Sequence, residues 1–112
     1  MRVLRRSQLL DLTGSPGVAR LSLNDAGVEA RSVSRMFKRL SAAAGDAVVI
    51  DLRLMRSPSS ALWAAIVRGL RTVALDGRRV TVQVSRQLQR LVELSCLSDL
   101  AQIAYCLEPL AA

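Results

Sequence analysis

The chain has 112 residues, a hydrophobic fraction of 51% and a charged fraction of 22%, with few prolines and glycines; this suits one domain around one apolar core and excludes disorder along the whole length. Its formal charge of +7 raises an anionic partner such as nucleic acid or lipid headgroup, yet aromatic residues make up only 3%, too few for a base-stacking platform. Histidine is absent, which removes Ser-His-Asp and Cys-His catalysis and any histidine-based metal site.

The first element expected is a strand somewhere in 3–12, followed by the turn-rich Thr13-Gly14-Ser15-Pro16-Gly17. Residues 18–23 alternate, with Ala19, Leu21 and Leu23 against Val18, Arg20 and Ser22, and so predict a strand with one buried face. Asn24-Asp25-Ala26-Gly27 turns the chain. Val33, Met36, Phe37 and Leu40 fall at i, i+3, i+4 and i+7 and predict an amphipathic helix ending near Ala44. Ala47-Val48-Val49-Ile50, closed by Asp51-Leu52, reads as a central strand covered on both faces.

After a polar loop over 53–58, residues 59–75 place Leu62, Ala65, Ile66, Gly69, Leu70 and Val73 on one helical side, behind serines able to cap the first turn. Asp76-Gly77 is a turn, and Val80-Thr81-Val82-Gln83-Val84 a β-branched strand. Ser85 is placed to cap a helix carrying Leu88, Leu91, Val92 and Ser95. Ile103-Ala104-Tyr105-Cys106 is a short strand candidate, and 107–112 a frayed helical end. The alternation of strands and helices predicts an α/β fold, a mixed sheet with helices packed over it.

The arginines are scattered. Arg5-Arg6 and Arg78-Arg79 are the adjacent arginine pairs, and Arg31, Arg35, Arg39, Arg68 and Arg71 read as solvated helix faces, so a nucleic-acid or anionic-membrane partner ranks low. Cys96 and Cys106 have neither redox nor zinc spacing and read as reduced, structural thiols. No phosphate-binding glycine loop occurs, no carboxylate pair stands out for acid–base work, and Asp51 reads as an exposed strand-end residue accepting from backbone amides. Neither a signal-type apolar segment nor an apolar run of about 18 residues is present; the expectation is a cytoplasmic chain that spans no membrane. These absences predict a protein that is not an enzyme and takes no cofactor or metal.

The stretch Val48-Val49-Ile50-Asp51-Leu52, a loop, Ser59-Ser60-Ala61-Leu62, and a helix running into Gly77-Arg78-Arg79-Val80-Thr81-Val82 resembles the signature of the STAS family of anti-sigma-factor antagonists. Members read roughly "VVLDL", a loop, "DSSGL", a helix, a glycine turn and a strand. The resemblance extends forward through 85–97 and back through 18–40. It implies a single STAS-like domain over 1–112, with its core roughly 18–105 and a mixed sheet of four to five strands. It also implies a non-catalytic, protein-binding module in which the serine after the motif's acidic residue is phosphorylated by a kinase-like anti-sigma factor.

The matching residue is Ser59, with Ser60 second. Ser57, Pro58, Ser59, Trp63, Asp25 and Glu29 are the partner-binding candidates. The sequence departs from the signature at Pro58, where the family has an acidic residue, at Ala61, where it has glycine, and in a slightly short loop after Asp51. These departures fit a second reading, an accessory subunit docking on the ATPase of an ABC transporter of the lipid-trafficking kind. Plain helix capping explains Ser57, Ser59 and Ser60 equally well, with Pro58 tolerated in the first turn. Homodimerisation through an edge strand or apolar helix face also stays open.

Overall fold

A computed structural model describes residues 8–11, 18–24, 29–43 and 45–106. Along the chain run β1 (Gln8–Asp11), β2 (Val18–Leu23), α1 (Ala30–Ala43), β3 (Ala47–Leu52), α2 (Ser60–Leu75), β4 (Arg79–Ser85), α3 (Gln89–Leu94) and β5 (Gln102–Cys106), with single 3₁₀ turns at Arg86–Leu88 and Leu97–Asp99. The strands form one sheet in the order β1-β2-β3-β4-β5, in which β1 is antiparallel to β2 and all other neighbours are parallel. The expected mixed α/β architecture is therefore present, and the strand expected at 103–106 completes it as β5, one residue longer at its start. Among the described residues no helix is long and apolar enough to cross a membrane. The expected helical end at 107–112 lies outside the described residues, as do the turn at 13–17 and most of that at 24–27.

The register decides which side chains form the core. Ala19 pairs with Val48 and Val48 with Val80; Leu21 pairs with Ile50 and Ile50 with Val82; Leu52 pairs with Val84. All of these are buried and belong to one cluster with the inner faces of the three helices. Their alternates, such as Val18, Arg20, Val49, Thr81 and Gln83, are only half-buried, because successive side chains of a strand point to opposite faces. The described helices thus pack on one side of the sheet. This corrects the expectation for β3: it is central, but covered by helices on one face, and its apolar run is continuous because the other face carries small or half-buried residues.

In α1 the four residues Val33, Met36, Phe37 and Leu40 are buried as the periodicity predicts, and Arg31, Arg35, Lys38 and Arg39 are exposed. In α2 the buried stripe is Leu62, Trp63, Ala65, Ile66, Leu70 and Val73. The residues 53–58 are not a purely polar loop: Met55 is fully buried, and its N–H donates to the Leu52 carbonyl (3.0 Å), which pins the loop to the core.

Ser85 does not cap the next helix. It is the last residue of β4, its hydroxyl is buried without a hydrogen-bond partner, and a 3₁₀ turn intervenes before α3. That helix stops after Leu94, and Cys96 then takes a left-handed conformation (φ 54°), a state ordinarily left to glycine or asparagine. Both cysteines are free thiols.

Gly69 marks the contact between α2 and α1. A Cβ at this position would run into the ring of Phe37, which is itself buried. Alanine raises helix propensity by up to about 1 kcal/mol, but forcing an atom into a packed contact costs about 1–3 kcal/mol. Gly69→Ala should therefore lower the urea midpoint of unfolding, with a net loss of about 1 kcal/mol. An unchanged or raised midpoint would show that the Phe37 ring moves aside freely.

Candidate functional site

Parallel strands deliver their loops to the end of the sheet where the strands terminate, the usual place for recognition in such folds. Glu29, just before α1, and residues 53–60, between β3 and α2, both belong to that end. The structure is held there by one carboxylate. Asp51, next to the end of β3, accepts from a backbone amide as expected, but at 8% exposure it is buried and not exposed, the only buried charged residue among those described.

Its Oδ1 accepts from the backbone N–H (3.0 Å) and Nε (2.9 Å) of Arg53, and its Oδ2 accepts from Arg53 Nη2 (2.8 Å) and Arg20 Nη2 (2.7 Å). Arg20 Nη2 also donates to Gln83 Oε1 (2.9 Å), so β2, β3 and β4 are tied together across the helix-free face. Burial pushes the Asp51 carboxyl up, but the hydrogen bonds from Arg53 side chain and backbone and from Arg20 outweigh it and hold the group below its ordinary value. In return, the hydrogen bond to Asp51 raises the Arg53 guanidinium against the opposing effect of burial.

This tie fixes where the chain leaves β3, and with Met55 it sets the path to Ser59. The Ser59 hydroxyl accepts from the Leu62 backbone N–H (3.1 Å) as the N-cap of α2, while the Ser59 carbonyl accepts from Trp63 N–H (2.9 Å). Ser57, Ser59 and Ser60 are exposed and Pro58 is half-buried. Capping is thus realised at Ser59, and its side chain remains open to solvent.

Trp63 is a core residue with one polar edge. It is 7% exposed, and its indole N–H donates to Ser95 Oγ (2.7 Å), joining α2 to the end of α3. Pro58, Ser59, Trp63, Val67, Arg71 and Leu91 line a shallow groove of about 480 Å³ between these helices. Leu54, on the same loop as Ser57 and Pro58, is 45% exposed.

The structure therefore brings Ser57, Pro58, Ser59, Ser60 and Trp63 together at the start of α2. Glu29 is exposed before α1, where its carbonyl accepts from Val33 N–H (3.1 Å). Asp25 lies outside the described residues. Among the described residues no group of three or more Cys, Asp or Glu side chains is placed to hold a metal ion.

No protein-family model matches the sequence, and no curated protein is significantly similar to it. At this end of the sheet the described residues place an exposed serine at a helix start, a largely apolar groove, and a loop tied down through Asp51 and Met55.

The Arg20–Asp51–Arg53–Gln83 network was not visible in sequence, because it depends on strand register. Two signals were present, Asp51 at the end of an apolar run and Arg20 on the polar phase of its strand, but nothing local paired them.

Two substitutions test these assignments. Asp51→Asn removes the charge facing two partly exposed arginines and should cost about 1–3 kcal/mol at pH 7. Because the folded-state pKa is lowered, the ionisation-linked part of this contribution is fully present above the unfolded value of about 3.9 and is lost as pH falls through the folded one. The stability gap between wild type and Asp51→Asn in urea unfolding should accordingly close on acidification; a gap independent of pH would assign it to packing. Ser59→Ala should cost about 1 kcal/mol through loss of the cap, whereas Ser59→Asp, an equally good cap, should be close to wild type. Equal losses in both variants would show that the capping bond contributes nothing.

Proposed function

We propose that this chain is a non-catalytic docking module of the STAS type, acting in the cytoplasm, which presents the start of α2 to a protein partner and is switched by phosphorylation of Ser59. The observation that carries the reading is the exposed Ser59 side chain at the first turn of a 16-residue helix, beside an apolar groove and a loop fixed from below by Asp51 and Met55. A helix start offers free amide groups and a positive dipole end, and so accommodates a phosphate. The modification adds a charge of about −1.5 to −2, enough to change what docks against the neighbouring apolar surface.

The partner class implied by the STAS resemblance is a kinase-like anti-sigma factor. A second reading, an accessory subunit seated on an ABC ATPase, draws on Pro58 and Ala61 at the motif positions and needs no phosphate. Affinity purification of the tagged chain, with mass spectrometry of co-purifying proteins and of the peptide covering 57–60, separates the two. A kinase-fold regulator with phosphate on Ser59 supports the switch. A Walker-motif ATPase with an unmodified peptide replaces it with the transport reading, and equal affinity of wild type and Ser59→Asp for the purified regulator rejects the switch.

A further inference from the structure

We infer that the face formed by α1 and α2 is a second docking surface, adjoining the Ser59 site and sharing Arg68 and Arg71 with its groove, for an acidic protein segment that inserts an apolar side chain. The two helices carry Arg31, Arg35, Lys38, Arg39, Arg68 and Arg71 and not one acidic residue. All six cations are exposed, and none forms an ion pair among the described residues. Within α1 the spacing Arg31, Arg35, Arg39 sets like charges at i and i+4, an arrangement that costs a helix about 0.2–0.5 kcal/mol per pair. An isolated surface helix gains by interleaving acids at such positions. Among the described residues nothing neutralises this positive charge, and a partner bearing acidic groups would offset it.

The shape of the surface selects the partner. Between the helices lies a slot of about 290 Å³ lined by Ser34, Phe37, Ala65 and Gly69, with Lys38 and Arg68 among its lining residues. The absence of a side chain at Gly69 lets the helices approach and leaves the slot recessed over the Phe37 ring. A phosphate backbone or a bilayer surface answers the charge and leaves the slot empty. A peptide with acidic residues flanking one apolar side chain answers both, by the helix-in-groove or extended-segment modes of peptide recognition. Arg68 also lines the groove beside Trp63, so α2 presents a basic ridge between two recesses.

The test uses the whole chain, ¹⁵N-labelled, and a fluorescein-labelled synthetic peptide of glutamates with leucines at i, i+4 spacing. Saturable binding is expected, with chemical-shift changes centred on Ser34, Phe37, Ala65, Gly69 and Thr72. Lys38→Glu with Arg68→Glu should weaken it at least tenfold in fluorescence anisotropy. Lys38→Gln with Arg68→Gln, a milder change, should weaken it in the same direction if the charge-reversed variant loses its native spectrum. Ser59→Asp should leave the affinity unchanged, so that failure of this surface and failure of the Ser59 switch read out separately. The inference is overturned if a leucine-to-serine peptide binds equally well or if the shifts map away from the slot. It is also overturned if phosphatidylglycerol vesicles or duplex DNA bind through Lys38 and Arg68 while the peptide does not.

Discussion

Four parallel strands laid down one after another in a single direction across the sheet leave the connecting helices one face to occupy, provided every crossover has the same hand. Much else in the molecule follows from this. Each strand needs only one apolar face, so short alternating strands suffice, and a core mostly of Leu, Val, Ile and Ala, with Met36 and Met55, fills the interlayer space together with the buried aromatics Phe37 and Trp63. The opposite face of the sheet is relieved of packing duties and can carry polar groups. The helices, buried on one side alone, must expose the other, and their exposed sides are surfaces available for partners.

The relieved face is where Asp51 acts. A carboxylate on the core side of β3 would need complete desolvation with costly compensation. On the helix-free side it keeps two arginines within reach, each about a third exposed or less, and the group remains ionised. The result is a polar tie across three strands whose covalent continuation is the loop to α2. Position of the candidate site is therefore set by an interaction on one side of the sheet, while the groove beside it is built from helices on the other. The two are joined through β3 itself and through Met55, which crosses from the loop into the core.

Periodicity made the elements legible, and it failed where the determinant was not periodic. The i, i+3, i+4, i+7 pattern at Val33, Met36, Phe37 and Leu40 and the alternation at 18–23 and 80–84 each encode burial directly, and those elements are where the residues say. The run Ala47–Ile50 misled, because Val49 and Ala47 are tolerated at half-buried positions and look in sequence like a second buried face. Ser85 misled because a serine before a helix signals a cap only when the backbone turns directly into that helix, and here a 3₁₀ turn comes first. The serines of the α2 start were legible for the same local reason: the bond from Leu62 N–H to Ser59 spans only three residues. Arg20 and Asp51 are 31 residues apart, and their meeting rests on a register that no local pattern specifies.

Capping and switching at Ser59 are compatible. A cap requires an acceptor oxygen on the side chain, and a phosphoserine retains several; the charge it brings lies at the end of α2 where the macrodipole is positive and no acidic side chain competes in the first turn. Modification would therefore leave the helix at least as well terminated as before. Its effect would fall on the surface around it: Leu54, Pro58 and much of the groove beside Trp63 are apolar, with Arg68 and Arg71 also in the groove's lining, and a partner that buries the apolar part would have to desolvate a doubly charged group in the same contact. A hydroxyl that is already committed to the backbone could in this way gate an interface without altering the fold that displays it, provided that Ser59 stays as exposed in the free chain as it is here.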